Sequence, residues 1–455
     1  MVFNGLAVLF TLDLAVLLAA APAEGQAGKA EVLFSADSFT TVQQALTEGW
    51  EAWSQRDEIR PEFFIAGQPS LDRSGSLGIG CVSNPLARGG WRRLVDGIEP
   101  GGFYRLEASY RVRGVSFPRQ KVLARLGWLQ KEGSGISLPV YVTDEVGRQG
   151  EWRTVAGTFQ APAGAYAVRV ELFLGNAAQG TVWWDAIRLS RVPDPPTRPV
   201  RVGSVYARPQ SKKNSAESIE EFCAVLEEAG RRDCDIVCLG EAINRIGVAG
   251  VTFPDAAQTV PGPATERLGQ VARRFGMYIV AGFLERDGPG VYSSAVLIGR
   301  SGRVEGVYRR VYLSEVHTDQ GVSPGNAYPV FDTDFGRIGI MTGYDSWSPD
   351  PARELTVQGA EIIFLPVWGD NETLIRARAL ENHVFLVLAA YDNVSKIYDP
   401  WGELLAEAGQ RPGVAIADID LNYPPACPFS YPQPDMRLRM LHERRIDIPS
   451  PLLNQ

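Results

Sequence analysis

One short stretch decides how this chain can be divided: Val192-Pro193-Asp194-Pro195-Pro196-Thr197-Arg198-Pro199. Proline holds φ near −65° and has no N–H to donate, so neither a helix nor a paired strand runs through such a segment, and residues 192–199 read as a stiff linker. The sequence pattern changes across it. Before it, residues 30–191 alternate apolar and polar in short runs, such as Tyr104-Arg105-Leu106-Glu107-Ala108-Ser109-Tyr110 and Ala167-Val168-Arg169-Val170-Glu171-Leu172-Phe173. Turn signals such as Pro100-Gly101-Gly102 and Pro162-Ala163-Gly164 separate them. A period of two with frequent turns predicts an all-β sandwich. After the linker, over 200–455, strands alternate with helices. A strand is predicted over 200–206. Asn214 with Glu217 three residues on opens a helix whose buried face is Ile219, Phe222, Cys223, Leu226 and Ala229. Strands follow over 234–239 and 278–283, separated by a helix marked by Leu268, Val271, Ala272 and Phe275, and hairpin strands over 294–298 and 303–308 come next. Asp350 as N-cap, Pro351 and Gly359 bracket a third helix, and a fourth over 372–382 leads into an apolar strand over 384–390. This order predicts helices layered over sheet, and hence a multidomain chain.

The bulk properties exclude some partners. With 455 residues the chain exceeds one ordinary core, and a net charge of −8 with no basic stripe argues against nucleic acid. Residues 6–12 and 14–21 are apolar, broken by Asp13, and end in Ala21-Pro22-Ala23. That is the length and ending of an export signal cut after Ala23, which predicts an exported, periplasmic or extracellular protein, although no Lys or Arg precedes the apolar stretch; a membrane anchor is the alternative. No later segment is long and apolar enough to span a bilayer. Five Cys leave at least one thiol unpaired in a monomer. Cys234 and Cys238 at the ends of one strand would sit about 13 Å apart, too far for a disulfide, so buried thiols are expected. No metal site or cofactor motif is found.

Several motifs occur in a telling order. Asp235-Ile236-Val237-Cys238-Leu239-Gly240-Glu241 is a strand ending in a carboxylate, and Tyr292-Ser293-Ser294-Ala295-Val296-Leu297-Ile298 precedes Gly306-Val307-Tyr308-Arg309-Arg310-Val311-Tyr312-Leu313. Ser323-Pro324-Gly325-Asn326 leads to Arg337-Ile338-Gly339-Ile340-Met341-Thr342-Gly343-Tyr344-Asp345, a strand running into a turn, and Arg376-Ala377-Arg378-Ala379-Leu380-Glu381-Asn382 follows on a later helix. Over 200–420 this resembles the nitrilase (carbon–nitrogen hydrolase) superfamily, which implies an αββα sandwich, association as a homodimer, and hydrolysis of amides or nitriles without a cofactor. The family chemistry uses a Cys thiolate as nucleophile, a Glu as general base and a Lys ammonium that stabilises the tetrahedral centre. On this resemblance the Glu is Glu241, but the Lys position holds Arg310 and the Cys position holds Gly343. The family's second, positioning Glu falls near residues 317–319, where no Glu fits, and the Asn of a Tyr-Asn-Ser motif is Ser293.

No neighbour replaces the nucleophile. Thr342 lies one residue away, so strand alternation turns it to the opposite face, and Ser346 lies beyond the elbow. Arg310 either pairs with Glu241 or reaches solvent. Gly343 suits an elbow with φ > 0 and would also enlarge the pocket. Tyr344, Trp347 and Trp368 either line that pocket or pack beside it.

The stretch from Gly150-Glu151-Trp152-Arg153 through Gly180-Thr181-Val182-Trp183-Trp184-Asp185 resembles the closing strands of galactose-binding-like jelly-roll domains, many of which bind carbohydrate. Seven of the ten Trp fall in this half: Trp50, Trp53, Trp91, Trp128, Trp152, Trp183 and Trp184. They predict either a glycan-stacking surface or core packing. The resulting expectation is an exported, catalytically inactive hydrolase relative, with a hollow pocket for a small amide-like or anionic ligand and a sandwich for a glycan. The alternatives are an active amidohydrolase in which Glu241 activates water, and a structural domain with a collapsed pocket.

Overall fold

Two sheet chemistries meet at the Pro-rich segment. The computed structural model describes residues 30–422 apart from 37–38, 72–74, 82–83, 136–137 and 143, so the predicted leader and Cys427 lie outside the described residues. Before the segment, a 7-stranded antiparallel sheet runs in the order Glu62–Ala66, Ser76–Cys81, Gly180–Val192, Phe103–Arg113, Trp152–Gln160, Asp144–Gln149, with Glu31–Ala36 also paired to Gly180–Val192. A 5-stranded sheet runs Trp50–Trp53, Arg88–Asp96, Ala167–Gly175, Val122–Leu129, Val140–Val142. The period of two is what joins them. Leu106, Ala108 and Tyr110 from one sheet and Val168, Val170, Leu172 and Leu174 from the other share a single core.

Of the two sequence alternatives for the Trp residues, Trp50, Trp91, Trp128 and Trp184 take core packing. Trp50, Trp91, Trp128, Trp152, Trp183 and Trp184 are buried and Trp53 is half-buried. Their faces meet other rings: Trp184 lies 5.3 Å from Tyr110, Trp128 5.8 Å from Tyr104 and Trp91 5.5 Å from Phe63. A sandwich of this size fills its centre with large apolar side chains.

The linker is shorter than its composition suggests. Val192 still pairs with Phe103, and Pro199 opens the next strand opposite Asp420, so only 193–198 lies outside the strands. Proline is accepted as the first residue of a strand, where its missing N–H leaves no gap in the ladder.

After the linker the chain builds four layers. One 6-stranded sheet is ordered Val304–Arg309, Gly290–Ile298, Tyr278–Asp287, Ile236–Cys238, Pro199–Tyr206, Gly413–Asp420. The second is ordered Val330–Asp332, Arg337–Ile340, Ile362–Pro366, Phe385–Ala389, Lys396–Tyr398, Leu404–Glu407. Residue parity sorts the layers. Ile279, Ala281 and Phe283 join Ile219, Phe222 and Leu226 of helix Ser215–Arg231 and Leu268 of helix Pro263–Phe275. Tyr278 and Val280 on the same strand instead face Phe364 and Val387 of the second sheet. Ile363, Leu365 and Leu386 pack outward on helices Asp350–Val357 and Glu372–Asn382 through Leu355, Ile375 and Ala379. Strands buried on both faces read as unbroken apolar runs. The αββα order expected from the resemblance is therefore the order of the layers.

Local boundaries shift slightly. Asp350 is the first residue of its helix, not its cap, and Pro349 flanks it. The strand expected over 234–239 shrinks to Ile236–Cys238 because the Cys234 N–H still closes on Ala229 of the preceding helix.

Residues 193–197 are exposed, and the sandwich core is assembled entirely before them. Limited proteolysis is expected to cut there first and release two fragments that each unfold cooperatively on isolation. Loss of all cooperative unfolding after that single cut would show one core spanning the linker.

Candidate functional site

The site grows from the ends of three strands. Ile236–Cys238 delivers Glu241 through a tight bend in which Gly240, and Gly282 on the neighbouring strand Tyr278–Asp287, have no room for side chains. A Cβ on Gly240 would lie 2.7 Å from the Tyr391 ring, and one on Gly282 would lie 2.6 Å from the Glu241 Cα. Ala242 takes φ 48, an uncommon left-handed conformation for a residue with a Cβ, and the Tyr391 hydroxyl donates to the Glu241 carbonyl at 2.6 Å. The Glu241 side chain is thus aimed by backbone constraint.

Arg310 follows strand Val304–Arg309, which ends on the same side. Its backbone N–H donates to Ser293 at 2.8 Å, and its carbonyl accepts from Gly325 at 2.7 Å. Its side chain is 1% exposed and pairs with Glu241: Nη2 donates to Oε1, and Nη1 lies 3.0 Å from His317 Nε2. The Trp368 N–H donates to the other Glu241 oxygen at 3.1 Å. Of the two sequence alternatives for Arg310, the structure selects the pair. His317 is itself oriented, with Nδ1 2.8 Å from Ser314 Oγ and its ring stacked 4.8 Å from Phe253. Accepting from Arg310 requires the neutral ring to carry its proton on Nδ1 and donate to Ser314.

Gly343 sits at φ 51. A Cβ there would fall inside the Arg310 guanidinium, against Nη2 and Cζ and 2.9 Å from Nη1. The expectation that Gly343 enlarges a pocket is therefore corrected. The space that a side chain at 343 would take is filled by Arg310, because a planar guanidinium is broader than an ammonium. The elbow is pinned by Asp345, which is fully buried and accepts from the Tyr308 hydroxyl at 2.7 Å, the Tyr312 N–H at 2.9 Å and the Thr342 N–H at 3.0 Å.

The remaining sequence candidates fall around this cluster. Thr342 points away, donating to Pro366 at 2.8 Å, and Ser346 donates to the Gly343 carbonyl at 2.9 Å, so neither hydroxyl faces Glu241. Tyr344 and Trp347 stack on each other 6.1 Å apart at the surface, 45% and 54% exposed, and Trp368 is 37% exposed. Cys81, Cys223, Cys234 and Cys238 are all buried thiols. Burial pushes Cys223 up to about 11 and Cys234 to about 12, which disfavours the reactive thiolate at both. Among the described residues no group of His, Cys, Asp and Glu forms a metal site. Sequence reasoning passed over His317 and Asp345. His317 was legible only as an imidazole where the positioning Glu belongs, and Asp345 only as a carboxylate two residues past the elbow.

Electrostatics freezes the cluster. Burial alone would raise the Glu241 carboxyl, but the charge and hydrogen bond of Arg310 beside it outweigh that effect and hold it at about 2. For Asp345, burial wins over the pull of Arg310 and the Tyr308 hydrogen bond, and its carboxyl is raised.

This domain, an αββα sandwich that carries a buried acid–base pair at the ends of its strands, defines a hydrolase-type scaffold. Comparison with known proteins gives the family. Residues 201–427 match the carbon-nitrogen hydrolase family. Omega-amidase NIT2 of Xenopus tropicalis is 30% identical over 234 residues, covering 46% of this chain and 84% of that protein. Omega-amidase NIT2 of Homo sapiens is 27% identical, over 45% of this chain and 84% of that protein. An amidase from Nesterenkonia sp. is a structural neighbour at 22% identity with TM-score 0.45, covering 55% of this chain and 94% of that one. The chain belongs to the carbon-nitrogen hydrolase family.

Glu241 is depressed from 4.5 to about 2 in the folded state, so its pairing stabilises the fold fully above about pH 4.5 and is lost as pH falls toward 2. Glu241→Gln should destabilise the chain by about 3 kcal/mol at pH 7 by leaving Arg310 buried and unpaired. The gap from wild type should narrow between pH 4.5 and 2 in urea unfolding. A gap constant across that range would show that the pair is not coupled to folding.

Proposed function

We propose that this carbon-nitrogen hydrolase-family chain does not hydrolyse amides or nitriles, and that its former catalytic centre is a closed structural ion pair. The observation that carries this reading is the guanidinium of Arg310 lying over Gly343 while bonded to Glu241. Each part of the thioester route then fails for a separate physical reason. Gly343 has no nucleophile. Both oxygens of Glu241 already accept a hydrogen bond, one from Arg310 and one from the Trp368 N–H, which stabilises the ionised carboxylate against taking a proton. A carboxylate held at about 2 is also a poor base near neutral pH. The same facts weigh against the water route, in which Glu241 would need a free lone pair facing a substrate.

Wild type should show no turnover above background on a panel of short amides, ω-amides of dicarboxylic acids, and nitriles. Gly343→Cys alone should stay inactive, because its Cβ meets Arg310. Gly343→Cys with Arg310→Lys frees that volume and restores the charge as an ammonium, and should raise turnover at least about 100-fold over either single variant. Wild-type turnover that vanishes in Glu241→Gln would overturn the inactive reading in favour of water activated by Glu241.

We further propose that the chain acts outside the cytoplasm as a non-catalytic partner. The apolar run over 6–21 with its Ala21-Pro22-Ala23 ending supports this. Expressed in a secretion-competent host, the full chain should be recovered outside the cytoplasm with a mass beginning at residue 24. Recovery of the intact chain from the cytosol alone would refute export.

A further inference from the structure

We infer that the pocket between Glu241, His317 and Gly343 is a guanidinium-binding site in which Arg310 is the tethered ligand, and that free guanidinium and amidinium cations occupy it once that side chain is removed. This rests on the non-hydrolytic reading only in taking Arg310 as the resident of the site.

The receptor groups come from separate parts of the fold. Glu241 arrives after strand Ile236–Cys238, His317 from the short helix Glu315–Asp319, and Gly343 from the turn after strand Arg337–Ile340. Each meets a different edge or face of one planar cation. Glu241 Oε1 accepts from Nη2, His317 Nε2 faces Nη1 at 3.0 Å, and the bare Cα of Gly343 leaves room for the plane. Two of the receptor groups also have supports other than Arg310. The Trp368 N–H at 3.1 Å and the Tyr391 hydroxyl at 2.6 Å hold Glu241, while Ser314 and Phe253 hold His317.

The ligand class follows from what each receptor group demands. Glu241 is buried, and a neutral amide would leave its charge uncompensated. An ammonium carries charge but is not planar, so it cannot present two coplanar N–H groups to Glu241 and His317 while lying flat over Gly343. Guanidinium and amidinium satisfy all three requirements. Arg310 Nε, on the tether side, is buried with no hydrogen-bond partner. The receptor therefore does not read that edge, and substitution there, as in methylguanidinium or acetamidinium, should be accepted. In the wild type the tether keeps Arg310 at a high effective concentration, which excludes free ligand.

The test uses the full chain carrying Arg310→Ala, with thermal unfolding followed at pH 7. The variant should melt below wild type. Guanidinium, methylguanidinium or acetamidinium at millimolar concentration should raise its midpoint by a few degrees and saturate, as expected for a single site. Sodium chloride at equal ionic strength, urea and acetamide should not. Wild type and the double variant Glu241→Gln/Arg310→Ala should show no response to any of them. If Arg310→Ala does not fold alone, its refolding yield in millimolar guanidinium against sodium chloride gives the same reading, and Arg310→Gln serves as a second host. A response that is absent, unsaturable or equal in wild type would overturn the inference. Amide turnover by the wild type would instead overturn the non-hydrolytic reading, so the two failures are separately visible.

Discussion

The ion pair between Glu241 and Arg310 is the constraint on which the rest of the site depends. Both groups are buried, so neither charge can be left alone, and the geometry around them serves to keep them together. Gly240 is bare because Tyr391 packs against it, and Gly282 because the Glu241 backbone runs across it. Gly343 is bare because the guanidinium lies over it. His317 takes the second edge of the cation and the Trp368 amide takes the second oxygen of the anion. Changing any one of these residues changes the solvation of a buried charge, which is the most expensive kind of change a core can suffer.

Arg310 and Gly343 are physically coupled, because the guanidinium fills the space a side chain at 343 would take. An arginine where a lysine is expected would clash with a cysteine at the elbow, and a glycine at the elbow would leave a void beside a lysine. Together they fill the same volume with a neutralised pair. Ala242 and Gly343 both hold positive φ at this site, which a glycine accepts readily and an alanine does not. Asp345 explains why the elbow holds its form, since its buried carboxylate ties Tyr308, Tyr312 and Thr342 to one point.

The scaffold delivers these groups through strand parity. On Ile236–Cys238, Ile236 and Cys238 enter the core between the two sheets and Val237 enters the helix-covered core, so the chain past Cys238 leaves the sheet at a fixed angle. The same alternation places Ile363 and Leu365 outward and Ile362 and Phe364 inward on the neighbouring sheet. Layers built on both faces of both sheets leave the strand ends as the places where polar side chains can converge.

The sequence by itself determined the layering and the identity of three residues that meet at the site. Local periodicity separated the sandwich from the αββα domain, and motif order placed Glu241, Arg310 and Gly343 at one site, because strand alternation, caps and turns are properties of neighbouring residues. It fixed neither the fate of the site nor that of the tryptophans. Whether Arg310 turned toward Glu241 or toward solvent depended on His317, Trp368 and the space over Gly343. These lie 7, 58 and 33 positions along the chain from Arg310 and meet it only once the two sheets have packed. Whether Trp50, Trp91, Trp128 and Trp184 faced sugar or core was likewise a question of which sheet face they shared, and the answer was the core. A long-range charge pair and a packed interior are decided by which distant strands become neighbours, and that information exists only in the tertiary structure.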